Sequence, residues 1–424
     1  MMESEKYADN MNRHLLRPMP GSAGLGRAVI GEDEIHSVTD LLRDPEKLFR
    51  YRGQEPTESS LFEKELSNKL GVRHALFVNS GTSALTCCLV GWGIGPGDEV
   101  IIPAYTYIAT AAAVVNAGAV PVIAEIDASL GLDPLDVERK ITPYTKAIIA
   151  VHMQGVPARL EALQSIARRH QLILIEDACQ AIGSKYKGAY TGMTSHAFAW
   201  SLNYYKVITC GEGGVFFTND DTAFLRGVYQ SDPGTPMWDS DLKGDLHEPP
   251  FSMACYRGNE ISAAIARVQL RKLDSILDHC RRMKKVLLEN LSEPIHYIQQ
   301  DMDDPEGDCG ISFAMIAESK EAAQKMNQTL TSEGLEMGTV YNEGFPDRHI
   351  YTYWDSILSK RGTTSQNYPW GDPNYKGNVS YSKDMCPRTL DLLSRCLRLS
   401  IHLNLNEQHM QKIANLINRA DRNL

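Results

Sequence analysis

The sequence predicts an α/β fold in which helices cover both faces of a mainly parallel sheet. Between His74 and Asn219, short β-rich runs alternate with segments of helical periodicity, as in successive βαβ units. The run at residues 172–175 is apolar throughout, which is typical of a strand buried on both faces. A length of 424 residues with 43% hydrophobic content is sufficient for two domains. We expect a large domain at residues 31–272 and a small α+β domain at residues 273–424, with residues 1–30 packing near the small one.

The elements of the large domain are predicted in chain order. Residues 32–42 place apolar side chains on one helical face after Gly31, which can cap the helix. Strands are expected at residues 75–78, 99–102, 120–123, 147–151, 172–175 and 215–218. Helices are expected at residues 82–89 and 160–170, between these strands.

In the second half of the chain, the sequence pattern predicts a long helix followed by the small α+β domain. Apolar residues recur along one side of residues 260–288, and the basic run at residues 281–285 is interpreted as a solvated helix face. The segment at residues 360–381 is rich in glycine, proline and aromatic residues. Its length and composition predict either a lid over a functional site or a mobile loop.

Composition argues against several classes of function. The formal net charge of −10 disfavours nucleic acid and anionic membranes as partners, because both require basic patches. The first residues lack a basic start followed by an apolar core, so we expect no secretory signal and a cytoplasmic chain. Proline, asparagine and glycine interrupt the apolar stretch at residues 100–124, which favours strand, helix and strand over a membrane span. Nine cysteines without a CxxC pair argue against a disulfide framework and a metal site.

An anion-binding turn is predicted where the first strand of the sheet ends. Gly81 permits a tight turn, and Thr82 and Ser83 would open the next helix with unpaired amides and nearby hydroxyls. Such a helix terminus favours a phosphate group. Taken alone, the motif is better explained by a serine or threonine cap without a ligand.

Two charged residues at one edge of the sheet predict the chemistry. Asp177 follows the buried strand at residues 172–175, and Lys206 lies between a polar turn and the glycine-rich run at residues 211–214. Ligands bind at the carboxyl ends of strands in open α/β sheets. There, a carboxylate can keep a pyridine nitrogen protonated, and a lysine can bind a cofactor carbonyl covalently. Together Asp177 and Lys206 predict pyridoxal 5'-phosphate, although each alone also fits a structural role, as a helix cap and as a surface charge.

Further side chains border this predicted site. Tyr105 and Tyr107 follow the second strand, where one ring can stack on a flat heterocycle or simply join the core. Gln180 can donate to a ring oxygen or face solvent. Glu176 and His152 are interpreted as structural, because a lone histidine is usually a satisfied structural residue.

Several sequence blocks, found in this order, resemble the DegT/DnrJ/EryC1/StrS family of sugar aminotransferases. The blocks are residues 80–85 (SGTSAL), 95–103 (GPGDEVIIP), 141–147 (ITPYTKA), 176–181 (EDACQA), 201–206 (SLNYYK), 211–214 (GEGG) and 269–274 (QLRKLD). The resemblance implies a pyridoxal phosphate-dependent transferase of fold type I. Such a fold has a large domain with a mainly parallel mixed sheet flanked by helices, and a smaller α+β C-terminal domain.

The resemblance also implies a role for each matching residue. Lys206 would bind the cofactor covalently, Asp177 would pair with the pyridine nitrogen and Tyr107 would stack on the ring. The other implied cofactor contacts are Gly81, Thr82, Ser83, Gln180, Ser201 and Asn203. In this family a residue of an Asn-Tyr-Arg-type motif reaches the phosphate of the partner subunit. Here the motif reads Cys255-Tyr256-Arg257, and Arg257 is the expected substitute.

The implied activity is a ping-pong transfer of an amino group from glutamate or glutamine to a keto- or aldehydo-sugar, or a cyclitol-like polyol. The implied assembly is a homodimer with shared active sites. Blocks at residues 151–155, 208–214 and 304–308 most resemble the branch that makes an 8-amino-3,8-dideoxy-octulosonate. Two alternatives stay open, because a fold does not fix a reaction. One is decarboxylation or elimination with the same cofactor, and the other is a non-catalytic regulatory protein.

Overall fold

A seven-stranded mixed sheet lies at the centre of the larger unit of this protein. The computed structural model describes residues 24–51, 55–234, 248–251, 254–339 and 347–424. The strands of the larger unit are β1 (His74–Val78), β2 (Glu99–Pro103), β3 (Val120–Ala124), β4 (Thr145–Val151), β5 (Ile173–Asp177), β6 (Lys185–Tyr186), β7 (Ala189–Tyr190), β8 (Ala197–Ser201) and β9 (Gly214–Thr218). The large sheet has the order β1-β9-β8-β5-β4-β2-β3, while β6 and β7 form a separate hairpin.

The sheet is parallel except at β9, which is antiparallel to both of its neighbours. The connection from β8 to β9 contains no helix, so it returns the chain in the opposite direction without the crossover that a parallel pair needs. The predicted mainly parallel sheet is therefore confirmed. The stretch at residues 100–124 forms strand, helix and strand as predicted, and no helix among the described residues is both long enough and apolar enough to cross a membrane.

Helices cover both faces of the large sheet. In chain order, the α-helices of the described residues in both units are α1 (Leu25–Ala28), α2 (Glu32–Leu42), α3 (Glu58–Leu70), α4 (Gly81–Gly91), α5 (Ala109–Asn116), α6 (Pro134–Lys140), α7 (Leu160–His170), α8 (Asp221–Ser231), α9 (Glu260–Asn290), α10 (Lys320–Ser332), α11 (Asp355–Leu358), α12 (Pro387–Ser394) and α13 (Glu407–Arg422). One face packs against α4, α5 and α8, and the other against α3, α7 and α9. Helices α2 and α7 have the predicted bounds, and Gly31 caps α2 with an extended backbone.

The smaller unit is built on a four-stranded antiparallel sheet. Its strands are β10 (Tyr297–Gln299), β11 (Ser312–Ala317), β12 (Gly338–Thr339) and β13 (Cys396–Ser400), in the order β10-β11-β13-β12. Helix α9 continues without a break through residue 272, and the division of the chain at this residue stays a prediction. Residues 1–23 lie outside the described part, whereas the amide of Gly26 in α1 donates to the Lys206 carbonyl at 3.2 Å.

The basic run on α9 is not a uniformly solvated face. The Arg281 guanidinium donates to the carbonyls of Asp308 and Gly183, at 2.9 and 3.2 Å. Lys284 is buried and forms an ion pair with the Asp308 carboxylate. Only Arg282 and Lys285 in this run are exposed. The prediction was wrong for Arg281 and Lys284 because their partners come from other parts of the chain and are not visible in the helical pattern.

The aromatic-rich segment at residues 360–381 packs against the edge of the sheet at which strands β2 and β3 begin. The Tyr375 hydroxyl donates to Glu99 Oε1 at 2.7 Å, and Glu99 is the first residue of β2. The Tyr381 hydroxyl donates to the Pro121 carbonyl of β3 at 2.6 Å. Within this chain, the segment covers the amino edge of the sheet, opposite the edge at which β5 ends. The structure favours neither a lid over its own site nor a mobile loop.

We expect Tyr375→Phe to lower the free energy of unfolding by about 1–3 kcal/mol and to leave catalytic activity unchanged. Glu99 is 2% exposed, so its carboxylate loses a hydrogen-bond donor that water does not readily replace. Urea unfolding would measure the change. Tyr144→Phe is the matched control, because the Tyr144 ring also contacts Tyr375 but its hydroxyl has no hydrogen-bond partner among the residues described. Equal destabilisation by the two substitutions would contradict this account.

Candidate active site

Asp177 ends β5 at the carboxyl edge of the sheet and is almost completely buried. Its carboxylate accepts hydrogen bonds from Thr110 Oγ1 to Oδ2, at 2.8 Å, and from the Cys179 amide to Oδ1, at 3.1 Å. No helix follows Asp177, so the predicted alternative of a helix cap is not what its side chain forms. Asp177 is 5% exposed and makes no ion pair with any residue that the structure describes. A buried carboxylate without a cation is unfavourable unless something else balances its charge.

Lys206 lies in the connection between β8 and β9, beside the same edge. The Lys206 amide donates to the Asn203 carbonyl at 2.9 Å, which closes a turn before the glycine-rich run. Gly211 has a φ of +88°, which is a backbone conformation that favours glycine. Gly214 is required for a close approach, because an added Cβ would lie 2.3 Å from the Ser80 carbonyl oxygen. These constraints fix the lysine loop against the start of α4.

The Cys179 side chain is a neighbour that Asp177 and Lys206 share. Burial and the negative charge of Asp177 raise the pKa of the Cys179 thiol, and the positive charge of Lys206 opposes this increase. Both charges therefore act on one thiol. Although 29 positions separate them in the sequence, Asp177 and Lys206 lie at the same edge of the sheet, and their charges act on one side chain.

The predicted anion-binding turn at the start of α4 contains both a helix cap and backbone amides without an acceptor. The Ser80 hydroxyl accepts the Ser83 amide at 3.1 Å, and the Ser83 hydroxyl donates to Asn79 Oδ1 at 2.7 Å. The Ser83 amide and hydroxyl are both paired within the cap, so the prediction that the Ser83 amide is unpaired was wrong. The amides of Gly81 and Thr82 donate to no acceptor within the described ranges, which leaves them available to an anion.

Ser201 lies directly against this turn. An added Cβ on Gly81 would lie 2.7 Å from Ser201 Cβ and 3.0 Å from Cys179 Sγ. Glycine at position 81 therefore lets the start of α4, the end of β8 and the residues after β5 meet. The amides, the Ser201 hydroxyl and the Asp177 carboxylate consequently border one region of the carboxyl edge.

Of the two candidate aromatic residues, Tyr107 is the accessible one. Tyr105 is 1% exposed and its hydroxyl accepts a hydrogen bond from Gln154 Nε2 at 2.7 Å. Tyr107 is 46% exposed, and it precedes the helix whose Thr110 contacts Asp177. The alternative of a core aromatic therefore applies to Tyr105 and not to Tyr107.

Gln180 and Asn203 differ in how much hydrogen-bonding capacity they retain. Gln180 is half-buried, and its side chain has no hydrogen-bond partner in the described part of the chain. Asn203 is used within the lysine loop, since its Nδ2 donates to Glu212 Oε1 at 2.8 Å and its Oδ1 accepts the Tyr205 amide at 3.2 Å. Direct cofactor contacts for both residues stay predictions.

Arg257 is attached to the anion-binding turn through its backbone but not through its side chain. The carbonyl of the preceding Tyr256 accepts the Asn79 amide at 2.8 Å. The Arg257 side chain lies 3.6 Å from Asp232 Oδ2, and its Nε donates to Cys255 Sγ at 3.4 Å. Within one chain its side-chain partners are therefore not the other predicted site residues, and the expected contact across a dimer stays a prediction.

His152 and Glu176 are structural, as interpreted from the sequence. Both are fully buried, and His152 Nε2 donates to Glu176 Oε2 at 2.8 Å while His152 Nδ1 accepts the Ala158 amide. The His152 amide also donates to the carbonyl of Asp177. This pair fixes the ends of β4 and β5 next to the site.

Sequence reasoning missed two residues that the fold brings to the site. Thr110 supports the Asp177 carboxylate from the first turn of α5, and no periodicity marks that role. His349 lies against Tyr107, with ring centroids 5.3 Å apart. The only sequence signal for His349 is a histidine two residues after Asp347, which is too common a pattern to indicate a site.

Comparisons with known proteins agree with this architecture. Residues 29–369 match the model of the DegT/DnrJ/EryC1/StrS aminotransferase family. GDP-perosamine synthase of Caulobacter vibrioides is 41% identical over 222 residues, which is 51% of this chain and 57% of that protein. The matched region thus spans little more than half the length of this curated relative.

Solved structures resemble nearly the whole chain. The structure of 3-amino-5-hydroxybenzoic acid synthase is 25% identical with a TM-score of 0.75, and the match covers 93% of this chain and 97% of that one. DesV of S. venezuelae is 28% identical with a TM-score of 0.70, over 92% and 94% of the two chains. PseC of Helicobacter pylori, at 22% identity and a TM-score of 0.72 over 93% and 98%, shows the fold alone. Because the family model covers most of the sequence and the fold agrees, the protein belongs to the DegT/DnrJ/EryC1/StrS aminotransferase family.

Proposed function

We propose that the protein is a pyridoxal 5'-phosphate-dependent aminotransferase. It transfers an amino group from glutamate or glutamine to a keto- or aldehydo-sugar, or to a related polyol. The observation that carries the proposal is the buried Asp177 carboxylate, which has no ion-pair partner among the described residues and shares the neighbour Cys179 with Lys206. The names of the relatives, which include a GDP-perosamine synthase, support a sugar as the acceptor.

The groups at the carboxyl edge fit this cofactor in number and type. The Gly81 and Thr82 amides and the Ser201 hydroxyl suit a phosphate, and the Asp177 carboxylate suits a protonated pyridine nitrogen. Three further residues suit other parts of the cofactor. The Tyr107 ring can stack on the heterocycle, Gln180 can donate to the ring oxygen and Lys206 can bind the carbonyl carbon. When bound, pyridoxal 5'-phosphate supplies an electron sink for the electron pair that deprotonation leaves on the amino-bearing carbon.

Each protein group then has a defined task. Lys206 Nζ takes the proton from the amino-bearing carbon of the donor, and in the second half-reaction it protonates the former carbonyl carbon of the acceptor. Thr110 and the Cys179 amide hold the Asp177 carboxylate in one orientation. Burial of Asp177 keeps its charge unscreened by water, which strengthens its interaction with a nearby cation.

A sequence of absorbance measurements tests the proposal. Purified protein, supplied with the cofactor, should be yellow, and borohydride should remove this absorbance and label Lys206. In a separate sample without borohydride, glutamate or glutamine should bleach the yellow protein, and a keto- or aldehydo-sugar should then restore the colour. Colourless protein that takes up no cofactor favours a non-catalytic role, and bleaching with release of carbon dioxide favours decarboxylation.

We also propose that the protein is a homodimer in which Arg257 reaches the site of the partner. Apolar side chains on α2 and just after it are unusually exposed, with Ile35 at 56%, Leu42 at 51% and Phe49 at 45%. The Ser37 hydroxyl in α2 donates to the Ala264 carbonyl of α9 at 3.4 Å, so the helix that carries Ile35 and Leu42 is attached to α9. Grouped exposed apolar side chains typically mark an interface between proteins.

Subunit complementation tests the shared site. Lys206→Ala and Arg257→Ala proteins should each be inactive or nearly so, and a mixture that has exchanged subunits should recover about a quarter of wild-type activity. Only the Arg257→Ala subunit of a mixed dimer has both its own Lys206 and an arginine from its partner. Sedimentation would verify a mass of two chains. A mixture of exchanged dimers that stays inactive would show that Arg257 does not act across the interface.

A further inference from the structure

His349 lies beside Tyr107 of the predicted site, although more than two hundred residues separate the two in the sequence. The Thr106 amide donates to the His349 carbonyl at 2.8 Å, and the Ile108 amide donates to the Arg348 carbonyl at 3.0 Å. These bonds and a bridge between Tyr105 and Ile350 lay the His349 segment alongside the Tyr107 loop. The His349 ring is tilted by 51° to the Tyr107 ring, with the centroids 5.3 Å apart.

The Asp347 carboxylate fixes the orientation of the His349 ring. It lies 2.8 Å from His349 Nδ1 and also accepts the His349 amide at 2.9 Å, both at Oδ1. Burial raises the pKa of Asp347, but the hydrogen bonds from His349, together with charge interactions with His349 and Arg398, outweigh burial and hold this pKa below its usual value. An ionised carboxylate only accepts hydrogen bonds, so Nδ1 carries the hydrogen in this pair.

The opposite ring nitrogen, Nε2, is consequently a hydrogen-bond acceptor whenever the imidazole is neutral. It has no hydrogen-bond partner within the described part of the chain, and the His349 side chain is 33% exposed. A hydroxyl group can donate to this nitrogen, whereas the two carboxylates of glutamate, whose amine is the reacting group, have no hydrogen to donate. The arrangement therefore discriminates between a polyol and glutamate.

The same loop connects His349 to Asp177. The Thr106 backbone bonds to His349, and its side-chain hydroxyl lies 2.8 Å from that of Thr110, which in turn donates to Asp177. Thr106 and Thr110 are both 1% exposed, so these bonds are shielded from water. A ligand hydroxyl at Nε2 would therefore be held at a fixed position relative to the site.

We propose that His349 Nε2 accepts a hydrogen bond from a hydroxyl group of the sugar substrate and acts only in the sugar half of the reaction. This inference rests on the proposed function, since it requires two half-reactions with different substrates. Asp347 acts through His349 as a positioning residue.

Separate measurement of the two half-reactions tests this assignment. Cofactor-loaded protein is bleached either by glutamate or by an amino sugar, with GDP-perosamine and 8-amino-3,8-dideoxy-octulosonate as the first probes. His349→Asn keeps a donor for Asp347 but lacks an atom at the Nε2 position. We expect it to slow bleaching by the amino sugar by roughly 10- to 100-fold and to leave bleaching by glutamate within about twofold.

Two further variants and a binding measurement complete the experiment. His349→Gln offers a carbonyl oxygen near the Nε2 position and should recover part of the loss. His296→Asn is the matched control, because His296 forms a similar pair with Glu318 at 3.0 Å and 30% exposure, just ahead of β10 in the small unit. Calorimetry with the amino sugar should show weaker binding to the His349→Asn protein by a similar factor, and no change for the control.

The possible failures can be distinguished. Equal slowing of both half-reactions, or weaker retention of the cofactor, would show that His349 only supports Tyr107 and would overturn the assignment. Unchanged rates with the amino sugar would overturn it as well. Wild-type protein that glutamate bleaches but neither amino sugar bleaches contradicts the sugar acceptor, and with it the role of His349, while an absence of bleaching by any amine contradicts the proposed transamination itself.

Discussion

Lys206→Ala protein should still bind the cofactor but lose transamination by at least about 10⁴-fold. The lysine amine both holds the cofactor covalently and moves the proton in the proposed mechanism, and no neighbouring side chain can take over both tasks. Lys206 is half-buried and forms no ion pair with the residues described, so its removal leaves no buried partner charge behind. The protein should therefore fold normally. Turnover with glutamate and a sugar measures the loss, and ultrafiltration measures cofactor retention.

Lys187→Ala provides the matched control for this experiment. Lys187 is an exposed lysine of the β6–β7 hairpin, paired with Glu161 at 2.7 Å on the surface. It should retain wild-type turnover. Persistence of turnover in the Lys206→Ala protein would remove Lys206 from the mechanism, whatever the affinity for the cofactor.

Asp177→Asn should lower kcat/KM by roughly 10²- to 10⁴-fold and weaken cofactor binding. The amide has nearly the same shape as the carboxylate but carries no charge, so it cannot balance a protonated pyridine nitrogen. Removal of a buried charge without a described ion-pair partner should also leave the cofactor-free protein at least as stable as the wild type. Titration with the cofactor and thermal unfolding of the cofactor-free protein would measure these two effects.

Thr110→Val separates the charge of Asp177 from its orientation. It removes the hydrogen bond that a neutral hydroxyl donates to the carboxylate and leaves the charge in place. We expect a loss in kcat/KM of about 3- to 30-fold, clearly smaller than that of Asp177→Asn. If the two variants lose activity equally, the charge of Asp177 is not the important property.

The large sheet was predictable because its signals are local. Short, mainly apolar runs predict the strands at residues 75–78, 99–102 and 147–151. Such a run between turn residues is best explained by a strand that is buried on both faces. Antiparallel β9 shows the limit of such prediction, since its sequence resembles that of the parallel strands in the sheet and only the short return from β8 fixes its direction. The helix bounds of α2 and α7 followed from periodicity and capping in the same way.

Two of the wrong or open predictions concern contacts between distant segments. The basic run on α9 contains Arg281 and Lys284, which bind Asp308 from a later loop. The aromatic segment at residues 360–381 bonds to Glu99 and Pro121 at the amino edge of the sheet. The sequence pattern around Arg281, Lys284 or the aromatic segment does not identify any of these partners.

The class of fold, the family and the two residues expected to perform the chemistry could be predicted from the sequence, because strand burial, helix periodicity and short motifs are encoded within a few neighbouring positions. The folded chain was needed to show which of two tyrosines is accessible, that Asp177 is buried with Thr110 as its support, and that His349 lies beside Tyr107. These properties depend on side chains that meet from different strands and loops, and the physical environment of a buried charge or a ring nitrogen exists only after the chain has folded.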